Sequence, residues 1–248
     1  MKKSMKTYLK IESLLFFREP LQVLFSFVFP SVMFMFFASA FSGKLENSET
    51  YFEIYIPGYF STIIYIVSMF MIGYQMVSDK ENGIYKRLRL TPFTLKSIYK
   101  AMIIKSIILC TIAGIEILII AKFIYHVSLT IYWGQFLLAY MIGNIIAVAS
   151  GFTIFTLCKN SKQAITAIII TFYPLMILGD NAFPLSMLPD IIQKIAPIIN
   201  PLYHLNRILR GAWIGNIFNE LVSILYVTIT IVILCYISFK YDKISDNY

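Results

Sequence analysis

Residues 79–105 read DKENGIYKRLRLTPFTLKSIYKAMIIK, and the fold of the whole chain turns on how this stretch is read. It carries seven basic residues against two acids, with a long apolar run on either side. A charged segment this dense, tied at both ends to apolar helices, is a loop held at a membrane surface. Asp79–Lys80–Glu81–Asn82–Gly83 closes the preceding helix with glycine, the residue that most readily takes the left-handed backbone of a helix C-terminus. Ile84, Tyr85, Leu88 and Leu90 then interleave with Lys86, Arg87 and Arg89, which predicts a short surface helix that ends or restarts at Thr91–Pro92. On composition alone, a basic loop facing lipid headgroups fits equally well.

Composition supports the membrane setting. Of 248 residues, 58% are hydrophobic and only 14% charged, which excludes an ordinary soluble domain. Apolar runs of about 20 residues recur, enough to cross a hydrocarbon core of roughly 30 Å as helix. The two-residue alternation of a transmembrane barrel is absent. The net charge of +8 does not point to nucleic acid, because the positive residues gather beside the ends of apolar segments.

The expectation is an all-α membrane protein with six transmembrane helices, at about 20–42, 52–77, 101–125, 135–157, 164–178 and 217–239, forming one domain over 1–248. Residues 1–19 form an N-terminal interfacial amphipathic helix. Its Tyr8, Leu9, Ile11, Leu14 and Leu15 recur at helical spacing, with Lys6, Lys10, Ser13 and Arg18 elsewhere around the turn. Pro30 is expected to kink the first span, and Pro57–Gly58 to loosen the second. Residues 179–215 hold Pro184, Pro189, Pro197 and Pro201, too many for one helix in a stretch too apolar for a free loop. Short re-entrant helices in the outer leaflet satisfy both facts. Sixteen of the 21 basic residues lie in 1–19, in 79–105, at Lys159 and Lys162, or in the tail at Lys240 and Lys243. Lys44, Lys122, Lys194, Arg207 and Arg210 fall on the other side. The positive-inside tendency therefore makes both termini cytoplasmic in a multi-pass protein of the cell membrane.

Few residues suggest chemistry. No GxxxxGK[ST] phosphate loop occurs, no Ser/His/Asp set or carboxylate pair marks a catalytic centre, and His126 and His204 have no second ligand at metal spacing. Cys110, Cys158 and Cys235 read as small apolar residues. Glu116 is the acid deepest in a span: it either touches the pathway or gate, or makes a bond between helices. Gln75 and Asn144 read as amides that join helices. Gly143, Ala147 and Gly151, four apart on one face, form a small-residue stripe for close helix packing.

Asp79, Lys80, Glu81, Gly83, Leu88 and Pro92 together resemble the loop after the second span of ABC-2 type permeases, the membrane subunits of ATP-binding-cassette exporters. That family often has Thr after the glycine, where this chain has Ile84. The likeness extends to Arg18–Glu19–Pro20, to the spacing of the spans and to NPLYHLNRILRG before the last one. The resemblance implies a subunit without catalytic residues or cofactor of its own, ATP and Mg being bound by a separate ABC ATPase subunit. It implies a second permease subunit, identical or a sibling, with membrane lipid around both. Residues 79–100 become a cytoplasmic coupling loop, in which Glu81, Gly83, Lys86, Arg87, Leu88 and Pro92 meet the ATPase. Export of a hydrophobic or amphipathic substrate (antibiotic, toxic peptide or lipid) is the leading expectation. A lipid-linked polysaccharide exporter and an ATPase-independent secondary carrier are the alternatives.

Overall fold

The structure, a computed structural model, describes residues 11–41, 48–88, 90, 95–181 and 185–241. These residues form helices and turns without a strand. Helix α1 covers residues 11–18. α2 runs through Pro20–Val23, a wide π turn at Leu24–Val28, and Phe29–Phe41. α3 runs through Ser48–Ser68, a second π turn at Met69–Tyr74, and Gln75–Glu81. α4 is the short Ile84–Leu88, followed by α5 (Leu95–Phe123), α6 (Trp133–Leu157) and α7 (Ser161–Ile177). α8 (Asp190–Ile199), α9 (Pro201–Trp213) and α10 (Leu221–Tyr241) are the remaining α-helices among the described residues. α1, α4 and the chain turn at 158–160 share one end of the bundle, called here the loop end. α8 and α9 lie at the far end.

α3 is the axis. Its apolar window is 94% buried, against 11% for that of α10. At 1.5 Å per residue α3 is about 50 Å long, well beyond a hydrocarbon core of roughly 30 Å, so it has turns to spare beyond a single crossing. Among the described residues four helices are long and apolar enough to cross a membrane: Ile54–Glu81, Ser97–Phe123, Trp133–Leu157 and Ile217–Tyr241. Leu24–Ala40 and Ser161–Ile177 are shorter apolar helices.

Small residues let α3 and α6 touch. A β-carbon on Gly151 would stand 2.8 Å from the Ser68 carbonyl oxygen and 2.9 Å from Ile72 Cβ. One on Gly143 would meet Leu205 Cδ1 at 3.0 Å and Ile64 Cδ1 at 3.3 Å. Ala147 is fully buried between them. On the α5 side, Gly114 makes room for the Phe60 ring, which packs edge-on against Phe136 with centroids 5.1 Å apart. Phe136 in turn meets Trp213 of α9 at 5.3 Å.

Prolines act differently along the chain. The π turn ahead of Pro30 widens α2 where the proline ring would otherwise crowd the preceding turn. α3 continues as helix through Pro57, and Gly58 leaves space for the Asn181 backbone, whose oxygen would lie 2.9 Å from an added β-carbon. At the far end Asn200 separates α8 from α9. Its Oδ1 accepts from the amides of Leu202 and Tyr203, Pro201 opens α9, and Nδ2 donates to the Leu175 carbonyl at 2.8 Å. α9 is amphipathic and its inner face is fully enclosed, whereas α8 buries only Ala196.

Candidate functional site: the loop end of the bundle

The last turn of α3 sets the loop. Asn82 N donates to the Ser78 carbonyl at 2.9 Å and Gly83 N to the Lys80 carbonyl at 3.1 Å. Gly83 sits at φ +68°, a left-handed conformation that costs a non-glycine residue about 1–2 kcal/mol. The chain therefore leaves α3 at a sharp angle and enters α4. Tyr85 is buried and meets Phe155 edge-on, with centroids 6.4 Å apart, which pins α4 to the end of α6. Lys80 places its ammonium 5.7 Å from the same Phe155 ring. Leu88 is half-buried against the core, while Lys86 and Arg87 are exposed and Leu90 is 91% exposed. A cationic pair beside an uncovered leucine is an amphipathic surface that suits either lipid headgroups or an acidic protein face. Pro92, like Arg89, lies outside the described residues.

Glu81 takes another position. It ends α3 rather than joining α4, and its Oε2 accepts from Ser161 N at 2.8 Å and Ser161 Oγ at 2.5 Å. A carboxylate there satisfies the Ser161 amide and complements the positive end of α7. Asn160 and Gln163 complete the cap, Asn160 Oδ1 accepting from Gln163 N and Gln163 Oε1 from Lys159 N, both at 2.9 Å. The root of the loop is thereby tied to the start of α7, 80 residues away in sequence.

The remaining candidates are dispersed. Glu116 Oε1 accepts from Ser31 Oγ at 2.7 Å, a bond between α5 and α2. Asn144 Nδ2 donates to the Tyr140 carbonyl within its own helix. Gln75 joins a buried cluster with Glu12 and Lys105. At the far end Arg210 binds Asp180, with Nη1 2.6 Å from Oδ2 and Nη2 on the carbonyl oxygen, and its guanidinium lies 5.2 Å from the Tyr55 ring. Asn206 Nδ2 donates to the Asp180 carbonyl at 2.6 Å, and Ser61 Oγ to the Gly58 carbonyl at 2.7 Å and Asn181 Oδ1 at 3.3 Å. Sequence reasoning passed over Glu12, Lys105, Asp180 and Arg210. The one signal available was that charges in so apolar a chain need partners. Among the described residues no three His, Cys, Asp or Glu side chains gather as metal ligands.

The family model described as ABC-2 type transporter matches residues 3–214. Over 180 residues the chain is 23% identical to the probable multidrug ABC transporter permease YbhR of Escherichia coli K12, and equally to the protein of that name in Escherichia coli O157:H7. The aligned part is 71% of this chain and 49% of those proteins, so the match spans about half the length of these curated relatives.

Proposed function

The chain belongs to the ABC-2 type transporter family, and from that premise we propose that it is the membrane-spanning subunit of an ATP-driven exporter. In this reading six segments cross the cell membrane, the two shorter apolar helices included, and both termini are cytoplasmic. Residues 1–19 lie in the interface, 79–100 couple to the ATPase, and 179–215 dip in from outside. The partners are an ABC ATPase subunit, which holds ATP and Mg, and a second permease subunit. The substrate is hydrophobic or amphipathic, in line with the multidrug label of the relatives. The observation that carries the reading is the short helix α4, clamped at the junction of α3 and α6 with Lys86, Arg87 and Leu90 turned outward. Closure of an ATPase dimer against such a clamped helix would move α3 and α5 together. Force passes only if the two loop positions bind the ATPase with different free energy.

Reconstitution tests this. With its ATPase subunit in proteoliposomes, the wild-type chain stimulates ATP hydrolysis. Lys86→Glu/Arg87→Glu removes that stimulation while the protein still inserts at wild-type level. Wild-type stimulation by the double variant overturns the coupling role. Substrate flux under an ion gradient with no ATPase present replaces the exporter with a secondary carrier.

A further inference from the structure

Three side chains from three elements meet inside the loop end. Lys105 of α5 lies with Nζ 3.1 Å from Glu12 Oε2 of α1 and donates to Gln75 Oε1 of α3 at 2.9 Å. Gln75 Nε2 donates to the same Glu12 oxygen at 2.6 Å, closing the triangle. Lys105 is 2% exposed and Glu12 6%. Phe16, one turn after Glu12, sets its ring 5.8 Å from the ammonium. Asp79, one turn beyond Gln75, is also buried.

The arrangement is unlike ordinary packing. α1 turns Ile11, Leu14, Leu15 and Phe17 outward, and what it buries is Glu12 and Phe16. Apolar side chains at the same three places would hold the helices at least as firmly, because a buried ion pair recovers little beyond its desolvation cost. What the charged triangle adds is a single register. A charge-assisted bond needs close, well-aligned partners; parting Glu12 from Lys105 leaves two charges buried without their counter-charge, and withdrawing Gln75 leaves both short of a hydrogen bond. α3 and α5 are the two helices joined by the loop, so the triangle stands at the root of the element that meets the ATPase.

We propose that Glu12, Gln75 and Lys105 are positioning residues forming a latch, which makes α1, the last turns of α3 and the adjoining turns of α5 move as one body. The proposal rests on the coupling role given to the loop above. Without the latch, displacement of the loop dissipates as slippage between the three helices. ATP is then still hydrolysed, but less substrate moves for each ATP consumed.

Two measurements test this. Spin labels at Leu14→Cys and Ile104→Cys, with Cys110, Cys158 and Cys235 replaced by alanine, report the distance between α1 and α5 in the complex with the ATPase. The wild-type triangle gives one narrow distance with or without nucleotide. Glu12→Gln and Lys105→Gln broaden it and cut transport per ATP by at least about fivefold, with stimulated hydrolysis maintained. The exchanged pair Glu12→Lys/Lys105→Glu restores both readouts to near wild type. Glu12→Leu/Lys105→Met strands no charge, keeps folding, and still broadens the distance. A narrow distance in that apolar double variant, or an unchanged transport ratio in Glu12→Gln, overturns the latch. Failure of the wild-type chain to stimulate any ATP hydrolysis sinks the exporter reading instead, and leaves the distance measurement to judge the triangle.

Discussion

His204 is buried on α9, its ring stacked on Tyr226 with centroids 4.0 Å apart. The Pro197 carbonyl, 2.6 Å from Nε2, can only accept, so Nε2 carries the proton and Nδ1 is free to accept from Ser223 Oγ at 3.2 Å. Burial holds the ring below the ordinary imidazole range, against the opposing pull of the Pro197 carbonyl. Of the charges nearby, Arg207 lowers it further and Glu220 raises it. With the folded pKa below the unfolded one, the neutral ring stabilises the fold fully above about pH 6.5, and this contribution is lost as pH falls through the folded value. The thermal midpoint in detergent should therefore drop between pH 7 and pH 5, and drop less in His204→Gln. Equal slopes for the two proteins would remove His204 from the acid response. The sequence marked His204 only as an unsuitable metal ligand. Its partner Ser223 lies across the turn between α9 and α10, where no local spacing reveals it.

Helix contacts follow from which residues lack bulk. Gly143, Ala147 and Gly151 were legible as a packing stripe because small residues four apart always share a helix face. The partner was not legible, since α3 meets the stripe through a π turn that no periodicity announces. Gly151→Val would press its side chain on the Ser68 carbonyl, backbone that cannot rotate away, and overpacking of this kind costs about 1–3 kcal/mol. Circular-dichroism melting should show a lowered midpoint for Gly151→Val. Gly134→Ala, with nothing within 4 Å of the new carbon, should melt like wild type. Helix ends were legible in part. The sequence closed the helix within Asp79–Gly83 on the strength of its glycine, and the helix does run to Glu81 with Gly83 left-handed; what it did not reveal is that the Ser161 amide and hydroxyl hold the Glu81 carboxylate there.

At the scale of the molecule, α3 is clasped by polar groups at both ends and by apolar side chains between. Glu12, Gln75 and Lys105 hold one end. The other abuts the turn where Arg210 and Asn206 bind Asp180. Composition and apolar run length made the helical membrane class legible, and the order of loose motifs made the family legible. The two clasps were not. Each unites residues 26 or more positions apart, and a lysine such as Lys105 looks the same in sequence whether it lies in water or under a carboxylate. α10 stands outside this scheme. Leu221, Val222, Leu225, Ile229, Val232 and Phe239 face away from the protein, and Thr153 with Ser238 at one end and His204 with Ser223 and Tyr226 at the other supply its polar fastenings. Under tension applied beyond Tyr241, this helix peels before anything else unravels. An atomic-force trace should open with a separate low-force step of about 70 Å, the extended length of its 21 residues. Simultaneous release of α9 would mean that the fastening at His204 is the stronger seam.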